Sequence, residues 1–187
     1  MIILKNNLII CCSPISDSCS NKIKNGLIGI LKKRDENVEV RDLYALQFDP
    51  VITENDISSA FQGKYREDVM KEQEYLKNAD SVFLIFPIYS SAMPALMKGY
   101  IDRVLSQNFA YSYNSDGSIN KLMTGKTIST FSPMGAALKY YEESGIKSAM
   151  DAIFSATFLF RGFEISSINY FGSDNREKML SELENLI

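Results

Sequence analysis

The stretch SVFLIFPIYSSAMPALMKGYIDRVLSQ, residues 81–107, decides the fold. It opens with an apolar run, Ser81–Phe86, that ends at Pro87. A short run of this kind is typical of a strand buried on both faces of a parallel sheet. A loop of small residues follows, and a helix is predicted from Pro94, because proline is favoured in a first helical turn. Open parallel sheets bind ligands in loops at the carboxyl ends of strands, so this loop is a candidate site.

Strand and helix patterns alternate along the rest of the chain. Further strands are predicted at Leu8–Cys12, Asn37–Leu43, Lys126–Phe131 and Glu164–Tyr170. Helices are predicted at Cys19–Lys33, Lys64–Asn78, Pro94–Gln107, Gly145–Phe160 and Asp174–Ile187, and a loop with a short helix at Leu46–Ala60. This alternation with short connections indicates an α/β fold of five parallel strands with helices on both faces. We expect one domain over residues 1–187, with strand order 2-1-3-4-5 or a Rossmann order.

Composition narrows the classes of partner. The chain of 187 residues has 20 basic and 23 acidic side chains, a net charge of −3, and no basic block, which argues against nucleic acid as a partner. No apolar run reaches the ~20 residues of a transmembrane helix. The N-terminal sequence resembles a first strand more than a signal peptide, so we expect a cytoplasmic protein.

The lack of histidine and the small number of cysteines exclude or disfavour several mechanisms. With no histidine in the chain, Ser-His and Cys-His nucleophilic catalysis are excluded. The three cysteines predict neither a disulfide framework nor a metal site, and Cys11 and Cys12 are interpreted as small core residues. Chemistry carried by a bound cofactor fits such a chain better.

The loop after the first predicted strand is a phosphate-site candidate. It reads Ser13-Pro14-Ile15-Ser16-Asp17-Ser18-Cys19-Ser20-Asn21 and lacks the G-x-G-x-x-G of dinucleotide folds. Its hydroxyl groups and the free N–H groups of the helix start favour an anion. The alternative is that Asp17 or Ser18 merely caps the helix.

One motif carries a family resemblance. Met93–Val104, MPALMKGYIDRV, follows the pattern P-A-x-x-K-G-x-x-x-R-V and resembles the NAD(P)H:quinone oxidoreductases of flavodoxin-like fold. Ser13–Ser20 is similar to the flavin-phosphate loop H-P-x-x-x-S-F-S of that family, with Ser13 in the place of histidine. The resemblance implies a flavodoxin-like three-layer sandwich with order 2-1-3-4-5.

The resemblance also implies roles for individual residues. Flavin contacts are expected from three loops: Ser13, Ser18, Cys19 and Ser20; Pro87, Ile88, Tyr89, Ser90 and Ser91; and Pro133, Met134 and Gly135. Substrate contacts are expected from Tyr111 and Tyr113, contributed across a dimer interface, and catalytic roles from Tyr141 and Lys147. Alternatively, the tyrosine pair packs its own loop, and Lys147 is a solvated helix residue.

The activity implied is a ping-pong reaction. NAD(P)H reduces the flavin and leaves, and a quinone, azo or nitroaromatic acceptor then enters the same space. FMN is expected over FAD, because relatives with FAD are longer, and the family works as homodimers. Two alternatives remain open: a flavodoxin-type electron carrier, and an ancillary regulatory subunit of a potassium-efflux transporter.

Overall fold

The computed structural model describes residues 4–187, and its centre is a five-stranded parallel sheet. The sheet strands are β1 (Asn6–Cys11), β2 (Asn37–Asp42), β3 (Ser81–Ile85), β6 (Thr127–Pro133) and β7 (Glu164–Phe171). Their order is β2-β1-β3-β6-β7, and every pair is parallel. Counting only these strands, this is the order 2-1-3-4-5. The flavodoxin-like prediction is confirmed, and the Rossmann order is wrong.

Helices cover both faces of the sheet. They are α1 (Cys19–Lys33), α2 (Glu54–Ala60), α3 (Glu67–Asn78), α4 (Ala95–Val104), α5 (Leu138–Glu143), α6 (Ile146–Leu159) and α7 (Arg176–Ser181), with a 3₁₀ helix at Leu183–Leu186. Successive strand residues point to opposite faces. Leu8 and Ile10 of β1 therefore join the core under α3, α4 and α6, whereas Ile9 joins the core under α1.

A small antiparallel hairpin stands outside the main sheet. Its strands, β4 (Tyr111–Tyr113) and β5 (Ile119–Lys121), are joined by a turn in which Gly117 has a φ of 82°. The composition of Asn114-Ser115-Asp116-Gly117 is typical of a turn, but no pattern in the sequence predicts the second strand. All three residues of β5 belong to the exposed surface, so no buried hydrophobic pattern marks this strand.

The predicted last helix, Asp174–Ile187, is wrong as a single element. Helix α7 ends at Ser181, and the chain continues as the 3₁₀ helix. The change of course buries Leu183 against α1, where a Cβ on Gly26 would come within 2.6 Å of the Leu183 Cδ2 atom. Tertiary packing therefore overrides local helix preference here.

Helix α4 is shorter than predicted, because neighbouring elements bind the carbonyl groups at its end. Gln73 Nε2 donates to the Val104 carbonyl at 3.1 Å, and Arg161 Nε donates to the Leu105 carbonyl at 3.0 Å. These bonds satisfy groups that a helix C-terminus leaves open. The helix consequently ends at Val104, before the predicted Gln107.

Candidate active site

Three loops meet at the carboxyl edge of adjacent strands β1, β3 and β6. They span residues 12–18, 86–94 and 134–137. Hydrogen bonds extend the sheet into them: the Cys12 N–H donates to the Ile85 carbonyl and the Ile88 N–H to the Pro133 carbonyl, both at 2.8 Å. The structure thus brings together the three segments in which the flavin contacts are predicted.

The first loop is ordered by its own hydroxyl groups. Ser18 caps α1, since its Oγ accepts the Asn21 N–H at 3.2 Å, and it also lies 2.9 Å from the Ser13 Oγ. The interpretation of Ser18 as a helix cap is therefore confirmed, but the cap leaves other polar groups without a hydrogen-bond partner. The N–H groups of Cys19 and Ser20 have no acceptor within the helix, and the Ser20 Oγ is buried without a hydrogen-bond partner.

The thiols near this loop are held protonated. Burial raises the pKa of Cys11 and of Cys12 to about 12, which agrees with their interpretation as core residues. Burial also raises the pKa of the half-buried Cys19, although the charges of Arg176 and Lys22 oppose the rise. None of these thiols has the depressed pKa of a reactive cysteine.

The second loop contains a tight turn at Ser90 and Ser91. The Tyr89 N–H donates to the Ala92 carbonyl at 3.1 Å, and the Ala92 N–H donates back at 3.0 Å. Both serines have positive φ, 50° and 61°, where glycine or asparagine is usual. This backbone strain lies in the loop where flavin contacts are predicted, and strained residues cluster at functional sites.

The other predicted residues of the second loop differ in burial. Pro87 is half-buried, and Ile88 belongs to the hydrophobic core with its N–H already engaged by Pro133. Tyr89 is 47% exposed. Of the residues predicted here, Tyr89, Ser90 and Ser91 therefore offer the accessible groups.

The third loop is fixed by the segment after β7. Arg176 Nη2 donates to the Met134 carbonyl at 2.6 Å, and the Asp174 carboxylate accepts the N–H groups of Leu138 and Lys139 at 2.7 and 3.3 Å. These backbone bonds lower the pKa of Asp174. Of the flavin contacts predicted here, Pro133 at the end of β6 and Met134 are buried, whereas Gly135 is exposed and has open space where a Cβ would lie.

Sequence reasoning missed Asp174 and Arg176. They act on residues about 40 positions earlier in the chain, and no local motif indicates such contacts. The Arg176 guanidinium is close enough to oppose the rise in the Cys19 pKa, so it adds positive charge between the first and third loops. Its Nε is buried without a hydrogen-bond partner.

Lys147 is part of a polar cluster on α6 and β7. Its Nζ lies 2.8 Å from the Asp151 Oδ2, and the Tyr170 hydroxyl donates to the Asp151 Oδ1 at 3.0 Å. Burial, followed by the charge of Asp151, raises the pKa of Tyr170. Lys147 therefore has a fixed partner, unlike a freely solvated lysine. Tyr141, predicted to act beside it, is half-buried and packs edge-on against Tyr140.

Tyr111 and Tyr113 share one side of strand β4, as the i, i+2 spacing predicts. Their ring centroids are 5.8 Å apart, and Phe160 packs against Tyr111 at 4.5 Å. Tyr113 is 55% exposed, whereas Tyr111 is half-buried. The hairpin therefore presents aromatic surface to a planar molecule and also packs onto its own chain.

Cavities occur both near and away from these loops. One of about 120 Å³ lies beside Ser91 and Met93, with Ile153 in its wall, and one of about 260 Å³ lies beside Tyr111. A groove of about 510 Å³ lies at the amino-terminal edge of β1 and β2 and contains none of the predicted site residues. Size alone does not locate the site; the strand-end loops do.

Comparisons with known proteins find relatives that match most of this chain. An uncharacterized NAD(P)H oxidoreductase of Haemophilus influenzae is 32% identical over 185 residues, covering 95% of this chain and 91% of that protein. The NAD(P)H dehydrogenase (quinone) 1 of Rattus norvegicus is 30% identical, and the match covers 87% of this chain but only 66% of the rat protein.

A solved NAD(P)H:quinone oxidoreductase from Methanothermobacter marburgensis superposes with a TM-score of 0.85 at 24% identity, covering 97% of this chain and 96% of that one, which shows the shared fold. The family model Flavodoxin_2, described as a flavodoxin-like fold, matches residues 5–186. With nearly the whole chain matched, the protein belongs to the Flavodoxin_2 family.

Proposed function

We propose that this protein is an FMN-dependent NAD(P)H:quinone oxidoreductase. The observation that carries the proposal is the meeting of three loops, rich in open polar groups, at the carboxyl edge of a flavodoxin-like sheet. The names of its relatives in Haemophilus influenzae and the rat support a nicotinamide donor, and the rat relative supports a quinone acceptor.

The residues present fit a flavin. Open N–H groups at Cys19 and Ser20, the unpaired Ser20 hydroxyl and the charge of Arg176 suit a phosphate. The free space at Gly135 and the turn at Ser90 and Ser91 suit a flat ring. When bound, flavin takes two electrons as hydride from NAD(P)H and passes them to a second, planar acceptor in a separate half-reaction.

The chain's own groups would position the reactants. Tyr111 and Tyr113 would hold a planar acceptor by ring stacking, and Phe160 would exclude water from the inner side of Tyr111. Lys147, held by Asp151, would supply a fixed positive charge for a reactant that becomes anionic. The Tyr141 hydroxyl would donate a hydrogen bond or a proton to the same reactant.

The proposal specifies FMN as the bound flavin and a homodimer as the assembly. The first loop offers one cluster of open anion-binding groups, which suits a single phosphate. The outer side of α6 exposes Ile153 and Leu159, at 61% and 47%, and this apolar surface suits a second copy of the chain. The partner's hairpin would then close the acceptor side of the site.

A reductase assay with flavin analysis tests the proposal. Released flavin is identified by chromatography, and NAD(P)H oxidation with menadione is followed with and without added FMN or FAD. We expect FMN in the protein and turnover that requires it. Bound flavin without turnover would instead indicate an electron carrier, and failure to take up either flavin would overturn the proposal.

Two sets of variants assign the sites. Replacing Ser18 and Ser20 together with alanine should lower flavin occupancy first, whereas Tyr111→Ala should weaken acceptor turnover and leave flavin bound. The opposite pattern would show that the two loops have been assigned wrongly.

A further inference from the structure

The wall of the cavity beside Tyr111 includes Arg161, which forms no ion pair within residues 4–187. The cavity, of about 260 Å³, lies between α2, the end of α4 and strand β4. Its wall combines apolar side chains such as Ile57 and Phe61 with Asp56, Asp102, Arg103 and Arg161. Aromatic rings and charged side chains therefore lie together beside Tyr111, where the electron acceptor is predicted to bind.

Arg161 is held rigidly in this wall. Its Nε donates to the Leu105 carbonyl at 3.0 Å and its Nη1 to the Thr157 carbonyl at 2.5 Å. The guanidinium carbon lies 5.8 Å from the Tyr111 ring centroid and 5.2 Å from that of Phe160. Two backbone bonds and two aromatic rings thus fix the orientation of the planar group.

One terminal nitrogen of Arg161 remains available. Within residues 4–187 the Nη2 atom has no hydrogen-bond acceptor, and it is not among the buried polar atoms that lack a partner. It therefore keeps some solvent-exposed surface. A guanidinium presents its N–H donors in a fork that matches carboxylate, sulfonate or phosphate oxygens.

The other charged groups of the cavity wall already have partners. Arg103 Nη2 lies 3.4 Å from Asp56 and its Nη1 2.9 Å from Asp68, and Lys98 Nζ lies 2.6 Å from Asp102. Among the described residues, no carboxylate comes within 4 Å of Arg161. Burial lowers the pKa of Arg161, yet an arginine stays protonated at neutral pH. Among the charged groups of this wall in the described residues, only Arg161 therefore lacks an ion-pair partner, although the charge of Asp102 opposes the fall in its pKa.

We propose that Arg161 determines acceptor specificity by binding an anionic substituent, a sulfonate or carboxylate, of a planar acceptor that packs against Tyr111 and Tyr113. The acceptor's ring lies against the tyrosine pair, and its charged group enters the cavity. This inference deepens the proposed function and rests on it. The phosphates of NAD(P)H offer the same anionic chemistry, and the experiment separates the two sources.

The kinetic test compares two acceptors that share one ring. These are an anthraquinone monosulfonate and the corresponding hydroxymethyl anthraquinone, assayed anaerobically with NADH and with NADPH. For Arg161→Gln we expect KM for the sulfonate to rise about tenfold, the effect of losing one charge-assisted hydrogen bond. KM for the uncharged acceptor should stay within about twofold, and Arg161→Lys should restore part of the preference.

Three results would overturn the inference. Equal changes in KM for both acceptors would indicate structural damage, and equal KM values of the unmodified protein for the two acceptors would mean that it has no anion site. A rise in KM for NADH or NADPH, with KM for both acceptors unchanged, would assign the anion to the nicotinamide donor. The exposed Arg34→Gln variant serves as the control for loss of one positive charge.

A binding measurement separates this inference from the proposed function. Equilibrium dialysis of the anthraquinone sulfonate with the purified protein needs no turnover. Binding that is weakened about tenfold in Arg161→Gln supports the anion site even in a protein without reductase activity. Reductase activity with equal sulfonate binding by both proteins overturns the anion site and leaves the proposed function intact.

Discussion

At the residue scale, Gly99 shows that part of the family motif serves packing. A Cβ at this position would overlap the backbone of Pro50, because α4 lies directly against that segment. We expect Gly99→Ala to lower the free energy of unfolding by roughly 1–3 kcal/mol through overpacking. Urea unfolding measures the change.

Gly29 provides the matched control. It also lies inside a helix, α1, but a Cβ there meets nothing within 4 Å. Gly29→Ala should therefore stabilise the protein by roughly 0.5–1 kcal/mol, the intrinsic helix preference. If both alanine variants shifted stability in the same direction, the packing role of Gly99 would be wrong.

The cysteines give a second prediction at this scale. Cys11 and Cys12 are buried with pKa values raised to about 12, whereas Cys19 is half-buried at the first loop. A disulfide exchange reagent at mildly alkaline pH should modify one thiol in the native protein and none in Cys19→Ser. Added FMN should slow the reaction at Cys19, since that residue is predicted to contact the flavin. Equal rates with and without FMN would argue against that contact.

At the element scale, the regular sheet and the long helices were predictable, and their connections were not. Each buried strand and amphipathic helix carries its own hydrophobic pattern. Helix α5 has no buried residue, and the exposed strand β5 has no such pattern. The break after α7 depends on Leu183 meeting α1, and the roles of Asp174 and Arg176 depend on contacts distant in sequence.

The hydrogen bonds that Asp174 accepts after the third loop yield a prediction with a defined pH dependence. Asp174 accepts two N–H groups at the start of α5, which lowers its pKa below the ordinary value of 3.8. Because the pKa of Asp174 is lower in the folded protein, the stabilisation that its ionised carboxylate gives is fully present above the ordinary carboxyl pKa. This stabilisation is lost as the pH falls through the pKa of the folded state. Asp174→Ala should therefore weaken flavin binding a few-fold at pH near 7, and the difference from the unmodified protein should vanish only in strong acid.

Flavin fluorescence titration across pH measures this effect. Glu177→Ala, which removes a neighbouring exposed acid, is the control and should bind flavin normally. A loss of affinity shared by both variants would point to net charge as the cause.

At the scale of the whole molecule, the proposed homodimer would link the two halves of the proposed site. The cofactor loops lie at the sheet edge, whereas the predicted substrate residues Tyr111 and Tyr113 lie on the separate hairpin. The resemblance to the quinone oxidoreductases implies that this aromatic segment crosses a dimer interface. The cavity beside Ser91 and Met93 includes Ile153, so the exposed face of α6 adjoins the second loop. A partner seated there would bring its hairpin near the cofactor.

We therefore expect Ile153→Asp to convert the protein from a dimer into a monomer of 21.1 kDa. Ile153 is 61% exposed, so the aspartate costs the isolated chain little, but burying its charge in an interface is costly. Sedimentation velocity gives the mass, and flavin content and menadione turnover are measured on the same samples. The monomer should keep its flavin, because the three loops belong to one chain, and should lose acceptor turnover.

Met70→Asp changes a 50%-exposed residue of α3 in the same way and should leave assembly and turnover unchanged. Full turnover by a monomeric Ile153→Asp protein would show that a single chain holds the complete site.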